Sequence, residues 1–320
     1  MDKNSETRDF GIDLPNSQSN KIKVISVGGA GHNVLETISS NTIENVDYIV
    51  CDTDTQSLKK SQLKNKLQLG VTTVNGTEGN AELGRLLALE SSKSISQLFD
   101  KNSETAIFIA GFGGGTGTGS IPVMVQMAKE KGLITIVIAY TPFDFEIEMR
   151  SKTANKGIEE LKKQADFVLV IDNNKIQKAY GNLSFKTGFG NADKAAGHLL
   201  KIVTSVSSSN SDTNNLKFLI GNIKQGQSVF FGYGEAQGKF REKEAVYQAL
   251  KNVLSDREDI SGVKNIFINI GHGSTEITIN ELDKIKEIVM QNAGNEANAT
   301  ILIKEDVTLN DSLSVAIIAS

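Results

Sequence analysis

The sequence predicts an α/β protein: a Rossmann-like layer of buried strands between helices, joined to a smaller α+β domain. Three observations carry that prediction. Apolar runs of strand length, such as 134–140, alternate with helical patterns up to Asn173, and strands apolar on both faces belong to sheets covered on both sides. Glycine is clustered, with 29 residues against 3 prolines, and two clusters lie where an apolar strand runs into a helix. Beyond a polar, low-complexity stretch at 207–215 the strands from 265 onward are joined by a single helix, which is the pattern of a second, smaller unit.

In order along the chain, residues 1–20 are polar and read as a disordered lead-in without the apolar core of a signal peptide. Residues 21–39 read as strand, glycine-rich turn and a helix opening near Asn33; 46–54 is a strand, followed by a polar connection through Lys66. Apolar residues spaced three and four apart make 81–99 one helix. Strand, glycine-rich turn and a helix starting near Ser120 follow over 104–132, then a strand at 134–140, a helix at 146–165 and a strand at 165–173. A helix over 191–206 leads into the polar loop. After it come a strand at 228–238, a helix at 241–254, a strand at 265–273, a helix at 280–292, and closing strands at 299–307 and 313–320.

Composition removes several function classes. The longest apolar runs are strand length, far short of the roughly 20 residues of a spanning helix, so direct membrane insertion is not expected. A net charge of −4 argues against a dedicated nucleic-acid binder. With 3 His and 1 Cys, neither a disulfide scaffold nor a His/Cys metal cluster is expected. Cys51 lies in an apolar run and reads as a packed thiol, and His32 reads as an incidental loop residue. These features together predict a cytoplasmic protein.

The strongest local signal is the run Gly113, Gly114, Gly115, Thr116, Gly117, Thr118, Gly119. Glycines allow backbone conformations and close approach denied to residues with a Cβ. Successive N–H groups at a helix start can wrap an anionic phosphate, and Thr116 and Thr118 add hydroxyl donors. No Lys follows, so this is not the lysine-bearing phosphate loop. A ligand-free tight turn is the plain alternative, and the length of the run argues against it. The cluster Gly28, Gly29, Ala30, Gly31, His32, Asn33 is a weaker signal, because a dinucleotide-type glycine spacing is absent.

At these residues the chain resembles the tubulin/FtsZ superfamily, and within it the FtsZ family. The glycine run matches the family's signature loop, and KVISVGGAGHN (23–33) resembles its first loop with Ala30 where another Gly is usual. CDTDTQSLKKS (51–61), NKLQLG (65–70), TPFDFE (141–146), VIDNNK (170–175), YGNLSFKTGFGNAD (180–193) and AQGKFREKEAV (236–246) resemble further family motifs. The resemblance runs from about 21 to the end and is densest over 21–193.

That resemblance implies a GTP-binding domain over 21–190, a central helix over 191–206, a catalytic loop over 207–218 and a C-terminal α+β domain over 219–320. It implies GTP/GDP with Mg²⁺ as cofactors, and head-to-tail filaments in which one subunit completes the next one's site at the division site. Phosphate contacts then fall on Gly28, Gly29, Ala30, Gly31 and the run from Gly113 to Gly119. Asn33 and Asp52 line the same pocket, Glu146 and Arg150 meet the ribose and phosphates, and Asn173, Phe189 and Asp193 select guanine.

The pattern breaks in the catalytic loop, which in the family carries Asn-x-Asp, two further residues, and a second Asp. Counting forward from Thr204 gives Asn210 and Asp212 their expected identities and puts Asn215 in place of the second Asp. Counting back from Gly226 places Asp212, Asn214 and Lys217 at the three positions, losing both acids. Either way the second carboxylate is missing, and in the forward register Asp212 alone remains to orient an attacking water. The stretch NGTEGNAE (75–82) is a shortened version of another family loop, Asp52 replaces a usual Asn, Ile147 replaces a usual Gly, and the helix after Asp193 is about three residues short.

The expectation is therefore a filament protein with weak or lost hydrolysis, self-associating or associating with another protein of the family. A non-polymerising or capping regulator of such filaments is the first alternative, and a fully functional division GTPase the second. The disordered linker and anchor-binding peptide that family members carry after the second domain are absent up to Ser320.

Overall fold

The computed structural model describes residues 20–39, 43, 45–70, 76–180, 193, 196–204, 227–251, 253, 255–294 and 296–320. The lead-in before Asn20, Phe189, and the 207–218 stretch with Asp212, Asn215 and Lys217 lie outside them. The chain divides between Phe167 and Val168 into two compact units.

The first unit runs β1 (Ile22–Val27), α1 (Gly28–Ser39), β2 (Val46–Asp52), α2 (Thr55–Lys60), β3 (Asn65–Gln68), α3 (Ala81–Glu90), α4 (Ser92–Leu98), β4 (Thr105–Gly111), α5 (Thr116–Glu130), β5 (Ile134–Tyr140) and α6 (Glu148–Lys162), and ends at the start of β6 (Phe167–Ile171). The sheet order is β3-β2-β1-β4-β5-β6. The pairs β1–β2, β2–β3, β1–β4 and β4–β5 are all parallel. Every residue of β1 is buried, as are the first six of β4, which is the double-sided burial expected of such strands. Strand order reverses between β1 and β4, and a doubly wound sheet leaves its ligand crevice at the carboxyl ends of the strands there. Val27 pairs with both Cys51 and Ala110, so the turns after β1, β2 and β4 leave the sheet at one level.

A lysine lies fully buried within that core. Lys23 in β1 donates to the carboxylates of Asp47 and Asp100. Asn20 holds the same Asp47 through its backbone and side-chain nitrogens, at 3.1 and 2.8 Å. A buried ammonium persists only with such partners.

The structure corrects the sequence reading at several element boundaries. α1 begins at Gly28 and α5 at Thr116, not near Asn33 and Ser120, because a first turn built of glycine has loop-like propensity. The polar connection through Lys66 contains α2 and β3, with 6 and 4 residues, too short to show a period. Asp54 caps α2 by accepting from the Gln56 N–H at 2.9 Å. The single helix expected over 81–99 is two, α3 and α4, meeting at Ser91. The Ser91 hydroxyl accepts the Gly70 N–H at 2.7 Å, so its side chain serves the neighbouring segment.

The second unit holds the rest of β6, the unforeseen helix α7 (Asn173–Tyr180), and helical residues 196–204 (α8) inside the expected 191–206. Then come β7 (Phe230–Ala236), α9 (Arg241–Lys251), β8 (Asn265–His272), α10 (Ile279–Ala293), β9 (Asn298–Glu305), a 3₁₀ turn (Val307–Leu309) and β10 (Leu313–Ala319). Their sheet has the order β7-β10-β8-β9; β10 is antiparallel to both neighbours and β8–β9 is parallel. β10 is central and buried along its length, and β9 is a largely exposed edge. Val246 and Ala249 of α9 and Ile285 and Val289 of α10 share one core with Ile268, Ile270, Val315 and Ile317 of the sheet. From α8, His198 stacks on Tyr233 with ring centroids 3.5 Å apart, and Lys201 reaches Asp306 at 3.1 Å.

Arg241, 5% exposed, fastens three segments of this unit. It donates to Glu281 Oε1 at 2.8 Å and to the carbonyls of Thr275, Glu276 and Asp311. Glu281 also closes a capping box with Thr278 at the start of α10. The Arg241 hydrogen bond, aided by those from Thr278 and opposed by burial, lowers the Glu281 carboxyl from 4.5 to about 2. A carboxyl depressed on folding contributes stability above its ordinary value and loses it as pH falls through the folded value. The urea midpoint of wild type should therefore exceed that of Glu281→Gln above pH 4.5, with the gap closing as pH falls toward about 2; a gap that stays constant over that window would refute the assignment.

Candidate functional site

Two glycine-rich turns face the crevice at the ends of β1 and β4, and their glycines sort into two kinds. Most are required by packing. A Cβ on Gly31 would lie 2.3 Å from the Ile109 carbonyl oxygen, one on Gly115 2.2 Å from Thr77 Oγ1, one on Gly117 2.6 Å from the Gly111 oxygen, and one on Gly119 2.0 Å from the Ala81 oxygen. Gly28 and Gly113 have φ of +77° and +97°, the left-handed region that disfavours side chains. At Gly113 a Cβ would also come within 2.8 Å of the Arg150 oxygen.

Gly29 and Gly114 are different. A Cβ at either would meet nothing within 4 Å, and neither has a positive φ. The protein's own packing does not use the missing side chain at these positions. Gly29 is the second residue of α1 and Gly114 lies two residues before α5, beside helix starts whose first-turn N–H groups lack helical acceptors. Neither helix carries an acid in its first turn, a trait shared with α2, α4 and α7 but not with α3, α6, α9 and α10. Two helix starts without their own anion, with open space beside them, form a place for an external anion.

Around this cradle the structure gathers hydroxyls. Thr116 Oγ1 is 2.8 Å from Thr53 Oγ1 and 3.4 Å from Thr77 Oγ1. Thr118 is buried, and its hydroxyl accepts the Gly113 N–H at 2.9 Å. Both hydroxyls, read from sequence as ligand donors, thus have partners inside the protein. Asp52, 4% exposed, accepts from the N–H groups of Thr53 and Asp54 at 2.7 and 3.2 Å. His32 is no loop residue: it sits in α1, 5% exposed, with Nε2 3.1 Å from the Cys51 carbonyl oxygen. Sequence reading missed Thr53 and Thr77. Thr53 carried one usable signal, its place directly after a strand that ends beside the glycine turns.

Glu146 and Arg150 form an ion pair one helical turn apart, and Glu146 also accepts the Phe143 N–H at 2.9 Å. Their segment reaches the glycine run through the Arg150 carbonyl beside Gly113. Phe145, Ile147 and Met149 project from it, each more than two-thirds exposed. Ala30 and Asn33 are exposed on the first turns of α1. Cys51 is a buried free thiol, as expected, and burial followed by the neighbouring Asp52 charge pushes its ionisation far up. In the second unit, Asn173 opens α7 with its Oδ1 buried and without a hydrogen-bond partner, and Asp193 is 6% exposed. Among the described residues no three His, Cys, Asp or Glu side chains are grouped to hold a metal ion, and no helix is long and apolar enough to cross a membrane.

Comparison with known proteins matches both halves of the chain. A family model described as the GTPase domain of the tubulin/FtsZ family covers residues 21–181, and one for the C-terminal domain of the FtsZ family covers 226–320. The chain is 33% identical over 304 residues to the cell division protein FtsZ of Mycoplasmopsis pulmonis, spanning 93% of this chain and 76% of that protein. It is 36% identical over 282 residues to the mitochondrial division protein fszB of Dictyostelium discoideum, spanning 85% of this chain and 76% of that one. Among solved structures, an empty FtsZ dimer from M. jannaschii superposes with a TM-score of 0.81 at 28% identity, over 95% of this chain and 89% of that one.

Proposed function

Because the chain belongs to the tubulin/FtsZ family, we propose that it binds GTP and GDP in the β1/β4 crevice, assembles head to tail into division filaments, and hydrolyses GTP slowly. The observation that supports binding is the pair of acid-free helix starts left open at Gly29 and Gly114. Backbone N–H groups there would hold the phosphates, with Glu146 and Arg150 at the ribose side. Asn173, Phe189 and Asp193 would read the base: a carboxylate accepts from the N1–H and N2–H of guanine, which adenine lacks. Mg²⁺ would be held by phosphate oxygens and water, a mode that needs few protein ligands. When bound, it would neutralise phosphate charge. In this reading 21–190 is the nucleotide domain, 191–206 the central helix and 219–320 the C-terminal domain.

Slow hydrolysis rests on the 207–218 loop. Asp212 would reach the neighbouring subunit's site, but the second acid is replaced by Asn215 in one register and Lys217 in the other. An uncharged amide polarises water weakly, and a Lys would stabilise bound phosphate without activating water. Purified protein should carry guanine nucleotide and sediment with GTP, with low turnover per subunit. Asn215→Asp should raise that turnover about tenfold if the forward register holds, and Lys217→Asp if the other does. Wild-type turnover climbing steeply with concentration, unchanged by either substitution, would instead identify a fully working division GTPase. Nucleotide binding without sedimentation would identify a regulator that docks on other filaments.

A further inference from the structure

We infer that His32 and Asp52 are positioning residues of the nucleotide cradle, coupling the first turn of α1 to the hydroxyl cluster at the start of α5. The inference rests on the nucleotide reading above; it adds His32 and gives Asp52, expected from the sequence to line the pocket, a role exerted through the backbone it holds.

The geometry is continuous across three turns. His32 follows Gly31 on α1, and its Nε2 lies 3.1 Å from the carbonyl oxygen of Cys51 at the end of β2. A carbonyl only accepts, so Nε2 carries the hydrogen, and the tautomer is set by the backbone. Nδ1 then faces the Ser57 hydroxyl of α2 at 3.3 Å and Asp52 Oδ2 at 3.7 Å. Both side chains are nearly buried, at 6% and 5% exposure, where polar groups are held by their partners rather than by water. The other oxygen of Asp52 accepts the Thr53 and Asp54 N–H groups. That fixes the turn so that the Thr53 hydroxyl meets Thr116 at 2.8 Å, in the glycine run itself.

A shift of the α1 first turn toward a bound phosphate therefore displaces the imidazole against Asp52. The carboxylate in turn holds the backbone that aims Thr53 at Thr116. Burial and fold stabilisation alone would keep these residues in place, but would not make the His32 ring respond to a ligand.

The test uses the full chain with ¹⁵N-labelled histidine, which gives ring signals from 3 residues, assigned with His198→Gln and His272→Gln. Saturating GDP should shift the His32 ring signals and leave those of His272 in place. By equilibrium dialysis, Asp52→Ala should weaken GDP binding about tenfold. Asp52→Asn, which keeps an acceptor for the Thr53 N–H, should lose no more than about threefold. Unmoved His32 signals in GDP-saturated wild type would overturn the inference, and so would an Asp52→Ala protein that binds GDP like wild type. If wild type binds no GDP in the dialysis, the nucleotide reading itself falls and this inference with it; that outcome is distinct, because it appears before any variant is compared.

Discussion

Gly114→Val should leave the unfolding temperature of the nucleotide-free protein nearly unchanged while weakening its affinity for GDP at least about a hundredfold. A Cβ at this position meets no protein atom within 4 Å and needs no left-handed backbone, so the fold has room where the side chain begins. The same room is what a phosphate would occupy beside the first turn of α5. Gly119→Val is the control in the opposite sense. Its Cβ would sit 2.0 Å from the Ala81 carbonyl oxygen, a backbone atom on α3 that cannot step aside, so this variant should lose stability by roughly 3 kcal/mol or more through overpacking. Thermal melts and equilibrium dialysis on the two proteins separate the effects. A Gly114→Val protein that melts normally and binds GDP with wild-type affinity would remove the phosphate from this crevice.

Arg241→Met should destabilise the second unit by about 3 kcal/mol or more, read as a fall in the urea midpoint. The methionine fills much of the same volume, so cavity formation is not the main effect. What is lost is a buried guanidinium bonded to one carboxylate and three carbonyls drawn from the loop before α10, the start of that helix and the turn before β10. Glu281 keeps its charge and its Thr278 contacts but loses the partner chiefly responsible for its low ionisation. The double substitution Arg241→Met with Glu281→Gln should be less destabilised than the sum of the two single changes, since it leaves no unpaired charge. Strict additivity would mean that the two side chains act independently.

The layer architecture was legible because strand runs such as 22–27 and 134–140 are predominantly apolar and of strand length, a pattern that local sequence carries by itself. The glycine run was legible for a similar reason: its residues are contiguous. What sequence could not show depends on atoms distant along the chain. Ser91, where α3 gives way to α4, is engaged by the N–H of Gly70, 21 residues earlier. Thr53, Thr77 and Thr116 converge from three separate turns. His32 looked like loop because a glycine-rich helix start has no periodic signature, although its ring is committed to the β2 end. Helix α7 was missed because its eight residues begin directly beyond β6, where an apolar run had already been assigned.

The sorting of the glycines also bears on how such a sequence would age. Gly31, Gly115, Gly117 and Gly119 are held by contacts inside the protein, so a descendant that ceased to use nucleotide would still be selected to keep them. Drift would enter first at Gly29 and Gly114, whose bareness serves nothing within the chain. A glycine-rich signature can therefore outlive the activity it advertises, and these two positions are the ones that would record when the activity ended.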